Sequence, residues 1–93
     1  MMYPYMTMND GMEIVHSDSE IVNGVETVRV YFEKPHGSDF HTAELLLPYR
    51  TWSKVRGFSD RKLRRLEKFV DMQVSLFYKF ARSGGVFGDA EMF

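Results

Sequence analysis

The 93-residue chain has no cysteine, which excludes disulfide staples, thiolate zinc centres and cysteine nucleophiles. It has no apolar run approaching the about 18 residues of a membrane span, and residues 1–12 lack both a basic n-region and an apolar h-region. A cytoplasmic protein with no membrane span and no leader is therefore expected. Charge of one sign is also missing, since the formal net charge is −1. What remains is ordinary globular material: 44% hydrophobic and 27% charged residues, with eight Phe, five Tyr and seven Met to build an interior. A chain of this length buries about two thirds of its unfolded surface. That leaves room for one two-layer core and hardly for a deep catalytic cleft.

The near-neutral total hides two unlike segments. Residues 1–49 carry 2 basic and 8 acidic side chains, whereas residues 50–68 carry 8 basic and 2 acidic ones. Such asymmetry points either to an anionic partner or to a basic segment lying against an acidic one in the same fold.

The first half is punctuated by Asn9-Asp10-Gly11, Asn23-Gly24 and Lys34-Pro35-His36-Gly37-Ser38-Asp39 between β-prone runs, the grammar of a meander. Hydrophobic alternation selects the registers. A three-residue loop at Asn9-Asp10-Gly11 sets Met8 opposite Met12 and Met6 opposite Ile14. A three-residue loop at Val22-Asn23-Gly24 sets Ile14 opposite Phe32, His16 opposite Val30 and Asp18 opposite Val28. In the third strand, 25–33, Val28, Val30 and Phe32 point inward and Thr27, Arg29 and Tyr31 outward. The fourth, 40–47, turns Ala43, Leu45 and Leu47 inward with Val30 opposite Ala43. Pro4 and Pro48 suit strand ends.

From Ser59 the period becomes helical. Ser59 is a good N-cap, and Phe58 can reach Leu63 as a hydrophobic staple. Leu63, Leu66, Val70, Val74, Phe77 and Ala81 recur at spacings of three and four, with Phe69, Leu76 and Phe80 as a second stripe, and Gly84-Gly85 ends the run. The expected helix has about 24 residues and a length of about 36 Å. The expected fold is thus α+β: a single domain over 1–85, a four-stranded antiparallel meander followed by one long helix on one sheet face. The tail, 86–93, contains Phe87 and Phe93 but no periodic pattern from which to assign order. Met6, Ile14, Val28, Val30, Phe32, Leu45, Leu47, Leu66, Val70 and Phe77 are the expected core.

Chemistry-bearing constellations are scarce. His16, His36 and His41 show no metal-ligand spacing and no adjacent nucleophile; His16 and His41 fall on the inner face near its edge, and His36 in a loop. Ser17, Asp18, Ser19 and Glu20 read as solubilising residues before a turn. No catalytic, cofactor-binding or metal-binding residues can be named, so a noncatalytic protein without cofactor or metal is expected.

Two surfaces stand out. The candidate anion-binding set is Arg50, Lys54, Arg56, Arg61, Lys62, Arg64, Arg65 and Lys68, with Trp52 as a stacking or anchoring ring among them. Its helical members crowd the positive end of the macrodipole, where acidic residues are preferred. The competing account is a solvated face on which Glu67 and Asp71 pair with Arg64, Lys68 or their neighbours. The second surface is the outward sheet face. The registers place Tyr5, Val15, Tyr31 and Thr42 in one row, with Tyr3 beside it, Phe40 on one flank and Leu46 at the far end. Tyr3, Tyr5, Val15, Tyr31, Phe40 and Leu46 are therefore a candidate protein or homodimer interface.

The opening Met2-Tyr3-Pro4-Tyr5-Met6-Thr7 and Asp10-Gly11-Met12-Glu13-Ile14-Val15-His16-Ser17, with Gly57-Phe58-Ser59-Asp60 and Tyr78-Lys79-Phe80-Ala81-Arg82-Ser83-Gly84-Gly85, resemble a group of small uncharacterised proteins of gut-dwelling bacteria. The resemblance implies a bacterial origin and brings no activity or site residues. The sequence-level expectation is a small noncatalytic interaction or regulatory protein of a bacterial accessory locus, with a protein partner or a second copy; the alternative is a nucleic-acid-binding protein using residues 50–68.

Overall fold

The computed structural model describes residues 1–85. The tail 86–93, with Phe87 and Phe93, lies outside the described residues. The chain runs β1 (Met2–Thr7), β2 (Glu13–Ser17), β3 (Glu20–Val22), β4 (Val25–His36), β5 (Asp39–Leu47), β6 (Thr51–Arg56), α1 (Asp60–Met72) and α2 (Val74–Ser83). All strand pairs are antiparallel, in the order β1-β2-β4-β5-β6 with β3 also on β4. The expected α+β class holds, with six strands in place of four and two helices in place of one.

The first turn follows the expected register. Gly11 has φ +85, the Met8 N–H donates to the Met12 carbonyl at 2.8 Å, and Met6 faces Ile14. Further along β1 the register slips, because Pro4 pairs with Val15 while Met6 pairs with Ile14, leaving Tyr5 as an extra residue. Such bulges concentrate on edge strands. This one turns Tyr3 and Tyr5 to the helix side of the sheet: Tyr3 lies opposite His16, and the Tyr5 ring stacks on Phe77 at 4.1 Å. Tyr5 takes the place beneath α2 that alternation assigned to Met6, which is 41% exposed instead of buried.

Ile14 opposite Phe32 and His16 opposite Val30 also match expectation. The loop beyond them does not. Val22 pairs with Val25 across a two-residue Asn23-Gly24 turn, both residues having positive φ (51° and 79°), the backbone that the right-handed strand twist favours in hairpins. The one-residue difference is absorbed at Asp18-Ser19, where β2 gives way to β3 and Asp18 leaves the ladder. There the Ser17 hydroxyl accepts the Arg29 N–H at 2.9 Å in place of a strand carbonyl, and the Ser19 N–H donates to the Ala81 carbonyl at 3.2 Å. Ser17 and Ser19 are thus structural partners of the backbone, not solubilising residues.

Between β4 and β5 the faces are as expected but the register is shifted by one period. Val30 faces Leu45 and Phe32 faces Ala43, because Gly37-Ser38 makes a two-residue turn between His36 and Asp39 and both strands run through to it. β6 lies in a stretch to which the sequence pattern assigns no element. It is a strand with Trp52 opposite Leu45 on the inner face, and Trp52 is its only residue that is not exposed, so alternation could not reveal it.

The helices cover the inner face. Val28, Val30, Phe32, Ala43 and Leu45 have no solvent exposure, and Met12, Ile14, Leu47, Leu63, Leu66, Val70 and Phe77 complete the interior. The Ser59 hydroxyl accepts the Lys62 N–H at 3.1 Å, and Phe58 and Leu63 are both buried, as a staple requires. The helical run then breaks at Gln73 (φ −125°, ψ 17°), whose N–H returns to the Val70 carbonyl at 3.0 Å while its own carbonyl starts α2. The Tyr5 hydroxyl donates to Gln73 Oε1. The break lets α1 lie against β6 and α2 against β1 and the β3–β4 hairpin. It also turns Val74 outward to 37% exposure, off the stripe; Leu76 is 40% exposed, while Phe69 and Phe80 are half-buried. Gly84, left-handed at φ 80°, closes α2. No helix among the described residues is long and apolar enough to cross a membrane.

Candidate functional site on the outward face of α1

Leu63, Leu66 and Val70 turn into the core, so helical geometry places Arg61, Arg64, Arg65 and Lys68, at i, i+3, i+4 and i+7, together on the solvent side. They run for about 10 Å along the axis. With Glu67 and Asp71 they line a shallow groove of about 630 Å³.

The acidic neighbours are engaged elsewhere. Glu67 Oε1 accepts the Trp52 indole N–H at 3.1 Å, and Asp71 Oδ1 meets Arg50 Nε at 3.1 Å. Both bonds run toward β6 and the turn before it. Arg61, Arg64, Arg65 and Lys68 have no ion pair among the described residues. Internal pairing with Glu67 and Asp71, one of the two readings of the sequence, is therefore not what holds them. Their arrangement also costs local stability: Arg61/Arg65 and Arg64/Lys68 are like-charge i,i+4 pairs, and Arg61 stands in the first turn of α1, at its positive end.

The rest of the candidate anion set is dispersed. Arg50 pairs with Asp71, Lys54 with Glu44 at 3.8 Å, and Arg56 with Asp39. Lys62 lines a separate hollow with Lys34, His41, Gly57, Phe58 and Ser59. Trp52 is half-buried, its ring 5.9 Å from that of Phe32, and its indole N–H is engaged by Glu67.

The outward sheet face differs from expectation in composition. Tyr3 and Tyr5 are on the other side of the sheet. Val15 and Tyr31 are neighbours as expected, but the next residue in the row is Glu44, not Thr42. Glu44 is 8% exposed, with the Ser53 hydroxyl at 3.4 Å and Lys54 beside it. Glu13 lies directly opposite Glu33 in the adjoining row. The Tyr31 phenol has its pKa pushed up, by burial first and then by Glu33. Leu46, opposite Arg29, is half-buried; Phe40, opposite Pro35 near the hairpin end, is 45% exposed. The face is a mixed surface with three carboxylates, not a continuous aromatic patch.

The histidines do not converge on a reaction centre. His16 is fully buried among Tyr3, Tyr5 and Phe77. Its Nδ1 donates to the Ser17 carbonyl at 2.8 Å, and Nε2 has no partner among the described residues. His36, placed by sequence in a loop, ends β4 and stacks on His41 at 4.3 Å. Among the described residues no three His, Asp or Glu side chains are placed to hold a metal ion.

Sequence reasoning missed one polar cluster. Arg82 Nε and Nη2 donate to the two Glu26 carboxylate oxygens at 2.7 and 2.5 Å, the Ser19 hydroxyl donates to the same carboxylate at 2.5 Å, and the Tyr78 hydroxyl donates to the Glu26 carbonyl at 3.2 Å. The Arg82 guanidinium, followed by Ser19, holds the Glu26 carboxyl down at about 2. The cluster clamps the end of α2 to the β3–β4 hairpin and leaves no reactive group free. No periodic signal could have joined Glu26 to Arg82.

Comparison with protein-family models, with curated proteins and with solved structures finds no match for the chain.

Proposed function

We propose that the protein is a noncatalytic interaction protein that engages a polyanionic partner through the outward face of α1. The observation that carries this reading is the diversion of Glu67 and Asp71 to Trp52 and Arg50, which leaves three guanidinium groups and one ammonium group on a single helix face. Side chains that serve only as a solvated face gain by pairing at i,i+4; these repel one another instead, and an anionic partner would offset that repulsion. Retention on an immobilised polyanion such as heparin at low salt tests it. The wild type should be retained, and a variant with Arg61, Arg64 and Arg65 replaced by glutamine should elute with markedly less salt. Equal elution of the two would overturn the reading.

A second reading has its own support. Val15, Tyr31 and Leu46 are half-buried on a sheet face that neither helix covers, which is compatible with a protein partner or a second copy. Tyr31→Ser should then reduce self-association in sedimentation, or partner capture, more than it reduces folding stability. A monomeric wild type that captures no partner would leave Tyr31 a purely structural residue.

A further inference from the structure

Resting on the polyanion reading, we infer that the partner of α1 is the phosphate backbone of a nucleic-acid duplex, bound without base stacking and largely without regard to sequence. Three features of the surface select this partner among polyanions. Among the described residues the stripe contains no aromatic ring, and the nearby Trp52 packs beside Phe32 with its indole N–H on Glu67. Binding of single strands relies on aromatic platforms for successive bases, and the described residues of the stripe provide none. Nor does the stripe have the buried apolar or aromatic anchor on which protein interfaces depend, because the apolar side of α1 is consumed by the core. Three of its four cations are arginines, whose planar fork matches phosphate oxygens. Residues four apart on a helix rise about 6 Å, comparable with the separation of successive phosphates, so Arg61/Arg65 and Arg64/Lys68 can each follow a strand.

The rest of the molecule orients the approach. On the outward sheet face Glu13, Glu33 and Glu44 are interspersed with Arg29 and Lys54, whereas the stripe on the opposite, helical layer sets four cations side by side. A protein with a net charge of −1 thus concentrates positive charge on the helical side, which orients a duplex toward α1.

The test is fluorescence anisotropy of the full chain against a labelled mixed-sequence duplex, its isolated single strand, and polyglutamate, over a series of salt concentrations. The duplex should bind most tightly. With four phosphates neutralised, the logarithm of its affinity should fall against the logarithm of salt with a slope of about −3 to −4. Arg64→Gln should flatten that slope by about one, and a second duplex of unrelated sequence should bind alike. Arg56→Gln, whose side chain pairs with Asp39 on β5, should leave the slope unchanged. Circular dichroism of each variant reports whether it is folded. Tighter binding of the single strand or of polyglutamate than of the duplex would overturn the duplex inference while leaving a polyanion-binding protein. Absence of binding to all three probes at low salt would overturn both.

Discussion

Replacing Phe77 tests whether the two layers meet where the structure places them. Phe77 has no solvent exposure, stacks on Tyr5 with ring centroids 4.1 Å apart and planes inclined by 26°, and meets His16 edge-on at 6.2 Å. Truncation of a buried phenylalanine to alanine costs about 3 to 5 kcal/mol through lost burial and a residual cavity. The Tyr5 stack, an aromatic pair contributing about 1 kcal/mol beyond area, places this site in the upper half of that range. A chain of this length has about 5 to 14 kcal/mol of total stability, so Phe77→Ala removes a large fraction and should lower Tm by about 20 °C or more. Phe77→Leu keeps most of the volume but not the stack, and should cost about 1 to 2 kcal/mol. Urea unfolding followed by circular dichroism measures both, with the midpoint moving and the m-value constant if the two-state description holds. A loss below about 1 kcal/mol for Phe77→Ala would refute the packing of α2 on β1 and β2, because no fully buried aromatic in a closed core is removed so cheaply.

Three further outcomes follow from particular contacts. The Glu26 carboxyl titrates at about 2 in the folded chain against an ordinary value of 4.5, so its contribution is complete above about 4.5 and is lost as pH falls toward 2; Glu26→Gln should lie below wild type near neutrality and converge on it in acid, and a constant offset across that window would contradict the clamp. Burial raises the pKa of the Tyr5 phenol above 10.0, so the unfolded chain releases that proton first and stability falls as pH rises past 10; Tyr5→Phe should be less stable near neutrality by about 1 kcal/mol, through loss of the bond to Gln73, and less sensitive to alkali in the same unfolding assay. At Gly57, φ is +86° and a Cβ would stand 2.2 Å from His41 Cδ2, so Gly57→Ala should cost about 3 kcal/mol from the left-handed backbone and the clash together; adding His41→Ala should recover part of that loss, and strict additivity in a double-mutant cycle would show that the two residues do not touch.

The inward faces of β4 and β5 were legible because Val28, Val30 and Phe32, and Ala43, Leu45 and Leu47, alternate with period two and all six are apolar. That signal is indifferent to a shift of two residues, which is why the face of β5 was right and its pairing with β4 was not. The Asn9-Asp10-Gly11 loop and the Ser59 cap were legible because each rests on one residue's own backbone or side-chain chemistry. β6 was not, since an edge strand with a single half-buried residue carries no alternation.

Local sequence therefore determined the α+β class, the inner faces of the central strands, the start and end of the helical run and the crowding of cations at its beginning, because each depends on interactions within a few residues. Tertiary packing decided the rest. The bulge that turns Tyr3 and Tyr5 under α2, the break at Gln73 and the clamp of Arg82 on Glu26 all join residues distant along the chain. The same holds for the candidate site. The positions of Arg61, Arg64, Arg65 and Lys68 on one face follow from helical spacing alone, but their lack of ion pairs among the described residues does not. It arises because β6, folded back beside α1, brings Trp52 to Glu67 while the turn before it brings Arg50 to Asp71. Coulombic partners are chosen by distance in space, a quantity that sequence separation does not contain.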